Sequence, residues 1–329
     1  MRSFMRRTAS SDKAPKKDPG SPVKASTGGT QSENVLGIAE TRARTDAQQL
    51  RTFTRWWNTW LTKRGEKISD LTEDLRSGVM PILLLEVLTG TPAKRFTKKP
   101  LNRFQMLENN ETFLKDVQSK GIRLVGIGPE NIVEGDKTMI LGLTWTLILR
   151  YEIQRFGIDD AELLRWVRSI VKDPYGLPVP DWINSFDDGK VFAAMMDKFA
   201  PDHLNYDTCK NDPPQVLLQK AFDVAEEVFD VPQLLDAAEL AAPGPSDDKS
   251  IITYVAKLRQ AIFDKNAELM KMQAAQQREA ELARLAAAKA DLEKAKESLL
   301  VDADDFLKWT RGKAGGFNDA AASKGTPKA

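Results

Sequence analysis

The residues that most enzyme mechanisms depend on are nearly missing. In 329 residues there is one histidine, His203, and one cysteine, Cys209. A single cysteine excludes an internal disulfide and any multi-cysteine zinc site, and it fits a reducing compartment. His203 lies in Pro201-Asp202-His203-Leu204 without a nucleophile motif and reads as a surface-loop residue. Cys209, near Asp207 and Lys210, reads as an ordinary residue. Gly189-Lys190 has Asn184 where a phosphate loop needs glycine, and Gly126-Ile127-Gly128 runs into Pro129 rather than completing a dinucleotide fingerprint. Asp302, Asp304 and Asp305 lack the glycine turn and distal glutamate of a calcium loop. No catalytic constellation, metal or cofactor is expected, and an enzyme is disfavoured.

Long apolar runs and a charge excess are also lacking. No run reaches the roughly 18 residues of a membrane span. Met139 to Leu149 is the longest near-continuous candidate and reads as a buried helix. The 48 basic and 47 acidic residues give a net charge of +1, which argues against a general nucleic-acid binder. Arg2, Arg6 and Arg7 open the chain, but no signal-peptide core follows. Residues 1–45 are rich in Ser, Lys, Pro and Gly and read as a disordered basic tail.

What is present is a repeat. Trp56 leads to Leu75-Arg76-Ser77-Gly78 and an apolar stretch from Val79. Trp166 leads to Phe186-Asp187-Asp188-Gly189 and an apolar stretch from Val191. Both landmarks recur after about 110 residues, as in a duplicated domain. The periodicity throughout is helical. Phe53, Trp56, Trp57, Trp60 and Leu61 form one stripe, and Leu163, Trp166, Val167 and Ile170 form another. Further helices are expected over Asp70 to Leu88, Asn102 to Val117, Met139 to Phe156, Pro214 to Phe229 and Ile251 to Ile262. No strand alternation is visible. Beyond Phe263 the composition turns to Ala, Glu, Lys, Leu and Gln. Leu285, Leu292, Leu299 and Phe306 recur every seven residues, with Ala288, Ala295 and then Asp302 three positions on. Two readings stand side by side here, a supercoiling seam and a single helix frayed in isolation.

The stretch Gln49-Leu50-Arg51-Thr52-Phe53-Thr54-Arg55-Trp56-Trp57-Asn58 resembles the opening motif of actinin-type actin-binding domains. A second motif, Leu124 to Gly135 running on to Leu141-Gly142-Leu143-Thr144-Trp145, is similar to the same family. Asp248-Lys249-Ser250-Ile251-Ile252-Thr253-Tyr254-Val255 resembles its partner domain. The resemblance covers roughly Thr45 to Asp264. It implies an all-α fold with two calponin-homology domains in tandem, over residues 46–156 and 161–264 with a 157–160 linker. A helical neck follows over 265–311, similar to a coiled coil or the start of a spectrin-like repeat, and then a disordered 312–329 tail.

The same resemblance implies binding to F-actin in the cytoplasm, mostly through the first domain. Its candidate contacts are Arg51, Arg55, Asn58 and Lys63 on the opening helix, and Leu124, Val125, Ile127, Lys137 and Met139 further on. A third surface is expected on Ala161 to Lys172. Where the family often has a lysine one position after Lys137, this chain has Thr138. Trp145 and Lys249 match a family pair facing each other between the domains and are expected to form a cation–π latch. Phosphoinositide binding is not carried over, because the stretch from Lys172 to Asp181 has lost its basic character. Homodimerisation through the C-terminal helix would supply a second actin site. The competing class is a microtubule-binding or signalling-scaffold adaptor, which the paired arrangement disfavours.

Overall fold

The structure, a computed structural model, describes residues 31–93 and 95–322. The expected disorder of residues 1–30 and 323–329 lies outside the described residues. The chain divides between Arg44 and Thr45, and both domains lie in the unit that starts at Thr45. Among the described residues there is no strand, and the fold is all-α.

The first domain contains α1 (Gln31–Leu61) from Thr45 onward, α2 (Leu71–Asp74), α3 (Val79–Thr89), α4 (Arg103–Ser119), α5 (Pro129–Glu134) and α6 (Lys137–Ile148). Helix α1 begins well before residue 45, where the sequence reading ends its tail. The physical reason is compositional. Proline and clustered glycine stop at Gly29, and Leu36, Ala39, Glu40, Arg42 and Arg44 are good helix formers. The apolar stripe of α1 is core: Phe53, Trp56, Trp57 and Leu61 are fully buried. The Trp57 indole N–H donates to Thr144 Oγ1 on α6 at 3.2 Å, so the ring buries its polar atom with a partner.

The helix expected over Asp70 to Leu88 is two helices. Gly78 sits between them at φ 74° as the N-cap of α3. Likewise, the helix expected over Met139 to Phe156 leaves α-geometry at Leu149. A π-helical turn, Leu149–Ile153, and a 3-10 turn, Gln154–Phe156, follow. The interruption turns both Glu152 and Ile153 inward, at 4% and 0% exposure.

The second domain contains α7 (Asp160–Val171), α8 (Lys190–Phe199), α9 (Tyr206–Cys209), α10 (Pro214–Phe229), α11 (Ala237–Leu240) and the first part of α12 (Asp248–Ala322). Pro214 starts α10, where a missing N–H costs nothing. Gly189 caps α8 at φ 77°, as Gly78 caps α3. Phe192, Phe222 and Tyr254 meet edge to face, with centroids 5.1 to 5.6 Å apart, and hold α8, α10 and α12 together. Helix α12 then leaves the domain and runs unbroken. It also passes through 312–322, where the sequence reading expects disorder; Gly312, Gly315 and Gly316 do not end it. Residues 263–308 of α12 are exposed throughout.

Candidate functional site

The two domains meet along the outer face of α1. Arg51 reaches the second domain and donates to both carboxylate oxygens of Glu239, from Nε to Oε2 at 3.0 Å and from Nη2 to Oε1. One turn on, Arg55 Nη1 donates to the Leu234 carbonyl at 3.2 Å. Both were expected on a filament-binding surface, and both are engaged by the second domain. Asn58 is a clamp inside the first domain. Its amide donates to the Ile68 carbonyl and its oxygen accepts from the Ile68 N–H, each at 2.9 Å. That pair closes the loop after α1, which explains an asparagine there without any partner outside the domain. Lys63 is exposed, with Nζ 4.2 Å from the Trp60 ring centre. Partial burial, and then the nearby Lys257, push its pKa down.

The remaining candidates lie elsewhere on the first domain. Val125 projects from the loop between α4 and α5 with 77% of its surface exposed, while Leu124 and Ile127 are half-buried against the core. Lys137 opens α6 and pairs with Asp46 at 2.8 Å. Met139, two residues further on, is half-buried. The nine candidates thus fall into four on or just after α1, Arg51, Arg55, Asn58 and Lys63, three on an apolar shelf, Leu124, Val125 and Ile127, of which Val125 is open to solvent, and two at the start of α6, Lys137 and Met139.

Trp145, one of the two residues of the expected latch, has neighbours from both domains. It stacks on Phe53 at 6.4 Å, and Lys249 Nζ stands 6.0 Å from its ring centre. That distance is at the limit of about 6 Å for a useful cation–π contact.

Sequence reading missed a set of polar residues that fasten the domains. The adjacent Gln48 and Gln49 grip Asp247 at the head of α12. Gln48 Oε1 accepts from the Asp247 N–H at 2.8 Å, and Gln49 Nε2 donates to its carboxylate. Asp247 also accepts from the Ser250 N–H and hydroxyl, both at 2.7 Å. Deeper in the seam, Glu152 accepts from the indole N–H groups of Trp56 (2.7 Å) and Trp60 (3.1 Å) and pairs with Lys257 of α12 at 3.4 Å. Glu152 stands between Arg150 and Arg155, and Lys257 shares its helix with Lys249 and Arg259, so neither is singled out by its own segment and only the docked domains bring the pair together. Beside the seam is a cleft of about 690 Å³, bounded by Arg55, Lys63, Lys67, Glu226, Asp230 and Lys257 among others.

Burial pushes the Asp247 carboxyl above its ordinary value, against the lowering effect of its bonds from Gln49 and Ser250. A carboxyl whose pKa is raised by folding contributes stability below its unfolded pKa and loses it as pH rises through the folded value. Asp247→Asn abolishes that titration. The melting temperature of the variant, relative to the wild type, is therefore expected to rise between about pH 4 and pH 7. Thermal melts at both pH values check this, and a difference that does not change with pH contradicts it.

Among the described residues no group of acidic, histidine or cysteine side chains is arranged to hold a metal, and no helix is long and apolar enough to cross a membrane. His203 is exposed in a turn, and Cys209 is buried with its thiol donating to the Asn205 carbonyl.

The calponin homology (CH) domain family matches this chain twice, over residues 47–153 and 158–263. Alpha-actinin A of Dictyostelium discoideum is 36% identical over 213 residues, 64% of this chain and 25% of the relative. Human alpha-actinin-3 is 36% identical over 214 residues, 64% of this chain and 24% of the relative. Alpha-actinin-4 of Pongo abelii is 33% identical over 270 residues, 81% of this chain and 29% of the relative. The chain thus spans about a quarter of the length of the curated relatives it matches. Among solved structures, the actin-crosslinking core of Schizosaccharomyces pombe fimbrin superposes with a TM-score of 0.54 at 20% identity. The match covers 64% of this chain and 49% of that one. At that identity the likeness speaks for the fold alone.

Proposed function

We propose, from the premise that this chain belongs to the calponin-homology family, that it is a cytoskeletal protein that binds the sides of F-actin through its first domain. The single observation that carries this reading is the Leu124–Val125–Ile127 shelf. It is a small apolar surface on the loop between α4 and α5, with Val125 open to solvent and Leu124 and Ile127 half-buried beside it, and such surfaces mark contact sites. The alpha-actinin relatives supply the direction. Lys137 and Met139 extend the same candidate surface onto α6, and a cytoplasmic location on actin filaments goes with the reading.

In this account the second domain restrains the first. Arg51 and Arg55 are occupied by the second domain in the docked pair, so they act on filament binding through docking. The sign of one substitution tests this. Arg51→Glu places two carboxylates face to face and is expected to raise F-actin affinity about fivefold, or ~1 kcal/mol. Adding Glu239→Arg restores the pair and returns the affinity to the wild-type value. Co-sedimentation of the three proteins reads the result. A fall in affinity that the charge swap fails to rescue would mean that Arg51 touches the filament directly.

Cross-linking follows if two chains join. Leu285, Leu292, Leu299 and Phe306 line one side of α12 and are 61 to 72% exposed. Heptad spacing suits a seam with a second copy of the same helix. Low-speed pelleting of actin with the whole chain is expected to bring down bundles, and truncation at Asp264 to abolish them while leaving side-binding intact.

A further inference from the structure

Two lysines of α12 approach tryptophans of the first domain, and they are not equivalent. Lys249 stands 6.0 Å from the centre of Trp145. Lys257, two turns further on, is 4.8 Å from the centre of Trp60 and 3.4 Å from the Glu152 carboxylate. The Lys257 side chain is 20% exposed and that of Glu152 is 5% exposed. Screening by water is therefore weak at the second contact, which has a shorter ring distance and a carboxylate besides.

The location of the charges makes their pairing conditional. Glu152 belongs to the first domain and is fixed there by the Trp56 and Trp60 indole N–H groups and by the π-turn that carries it. Its cationic partner comes from the second domain. While the domains are docked, a buried carboxylate has its counter-charge. When they part, Lys257 regains water, whereas Glu152 keeps its two indole donors and loses the one cation in contact with it, with Lys63 of its own domain acting on it from further off. Removing one member of a buried pair is far more damaging than removing both. The interaction thus exists in one arrangement of the domains only, which is the condition for a contact to bias an equilibrium. Lys63, held over the same indole, is crowded by Lys257, so Glu152 is balancing a local excess of positive charge.

We infer that the Glu152–Lys257 pair, seated against Trp56 and Trp60, is the principal latch holding the two calponin-homology domains together, ahead of Lys249 and Trp145. Its consequence for actin rests on the filament-binding reading above; the latch itself does not. Because Lys257 lies on α12, the helix that closes the domains is the same helix that continues into the exposed neck.

The test measures domain separation directly. Spin labels at Gln118→Cys and Glu227→Cys, both exposed, report the interdomain distance by dipolar spectroscopy on the whole chain in a Cys209→Ser background. Lys257→Met is expected to change one narrow distance into a broad distribution reaching longer values, with the open population raised at least about fivefold. Lys249→Met is expected to open the pair less. Glu152→Gln combined with Lys257→Met removes both charges and is expected to close the pair again relative to Lys257→Met alone. That double variant also guards against misfolding, since it folds if the single variant's defect is the unpaired carboxylate. F-actin co-sedimentation of the same proteins is run in parallel. Opening by Lys257→Met with unchanged actin affinity upholds the latch and removes the claim that docking restrains filament binding. A wild-type distance distribution in Lys257→Met, or wider opening by Lys249→Met than by Lys257→Met, overturns the inference.

Discussion

Gly78→Ala should cost the first domain about 2–5 kcal/mol and lower its melting temperature by roughly 10 °C or more. Two effects add. Gly78 holds φ at 74°, where a side chain costs about 1–2 kcal/mol. An added Cβ would also lie 2.6 Å from Asn109 Cβ and 2.9 Å from the Asn110 N, both on α4. Neither neighbour can yield cheaply. Asn109 is buried and bonds to Ser77 and Thr97, and Asn110 bonds to the Arg76 carbonyl. Gly90→Ala is the matched control, with φ at 64° and nothing within 4 Å of an added Cβ. It should lose only the backbone term of about 1–2 kcal/mol. Calorimetry on both variants decides the matter, and equal losses would remove the packing explanation.

Val125→Asp should weaken F-actin binding about tenfold or more without a measurable loss of stability. At 77% exposure the valine adds little to the fold, so its replacement leaves the core unchanged. On a contact surface the same change places a carboxylate where apolar area would be buried. It must then be desolvated without a partner, which costs well over the ~1.4 kcal/mol that a tenfold change represents. Half-buried Leu124 and Ile127 are poorer probes, because substituting them disturbs the core as well. The prediction is read from binding isotherms beside thermal melts. Unchanged affinity would move the contact away from the loop between α4 and α5.

The contrast between these two residues shows what the sequence could disclose. Gly78 and Gly189 were visible as a repeated landmark because a left-handed helix start accepts little else, so the constraint is local and leaves its mark at one position. Pro214 marked the start of α10 for a similar reason. The stripe of Phe53, Trp56, Trp57 and Leu61 was legible because burial on one helix face has its own period. The break at Leu149 was not, since a π-turn is set by how the helix end packs and the apolar pattern runs through it. Nor was the helicity of the stretch just before residue 45, where only a weak composition change marks it.

The candidate site was legible in part. The shelf at Leu124, Val125 and Ile127 lies in one loop, and a motif placed it. Arg51 and Arg55 were identified as surface cations, which they are, but their partners Glu239 and the Leu234 carbonyl lie nearly 200 residues away on a second domain. Pattern within one helix carries no information about which surface will cover it. Asn58 is a contact candidate through the motif on the opening helix, although both ends of its amide are spent on Ile68. Glu152 and Lys257 went unpaired for the same reason as Arg51 and Glu239, since only the docked domains bring them together.

The measurement that tests the central claim most directly is co-sedimentation of the whole wild-type chain over a range of F-actin concentrations, with Lys249→Glu beside it. Lys249 faces Trp145 across the seam, and a glutamate there removes that contact and adds a like charge near buried Asp247. Saturable pelleting of both proteins, with the variant binding more tightly, is the predicted result. If both remain in the supernatant at every actin concentration, the first domain does not bind the filament and the account fails.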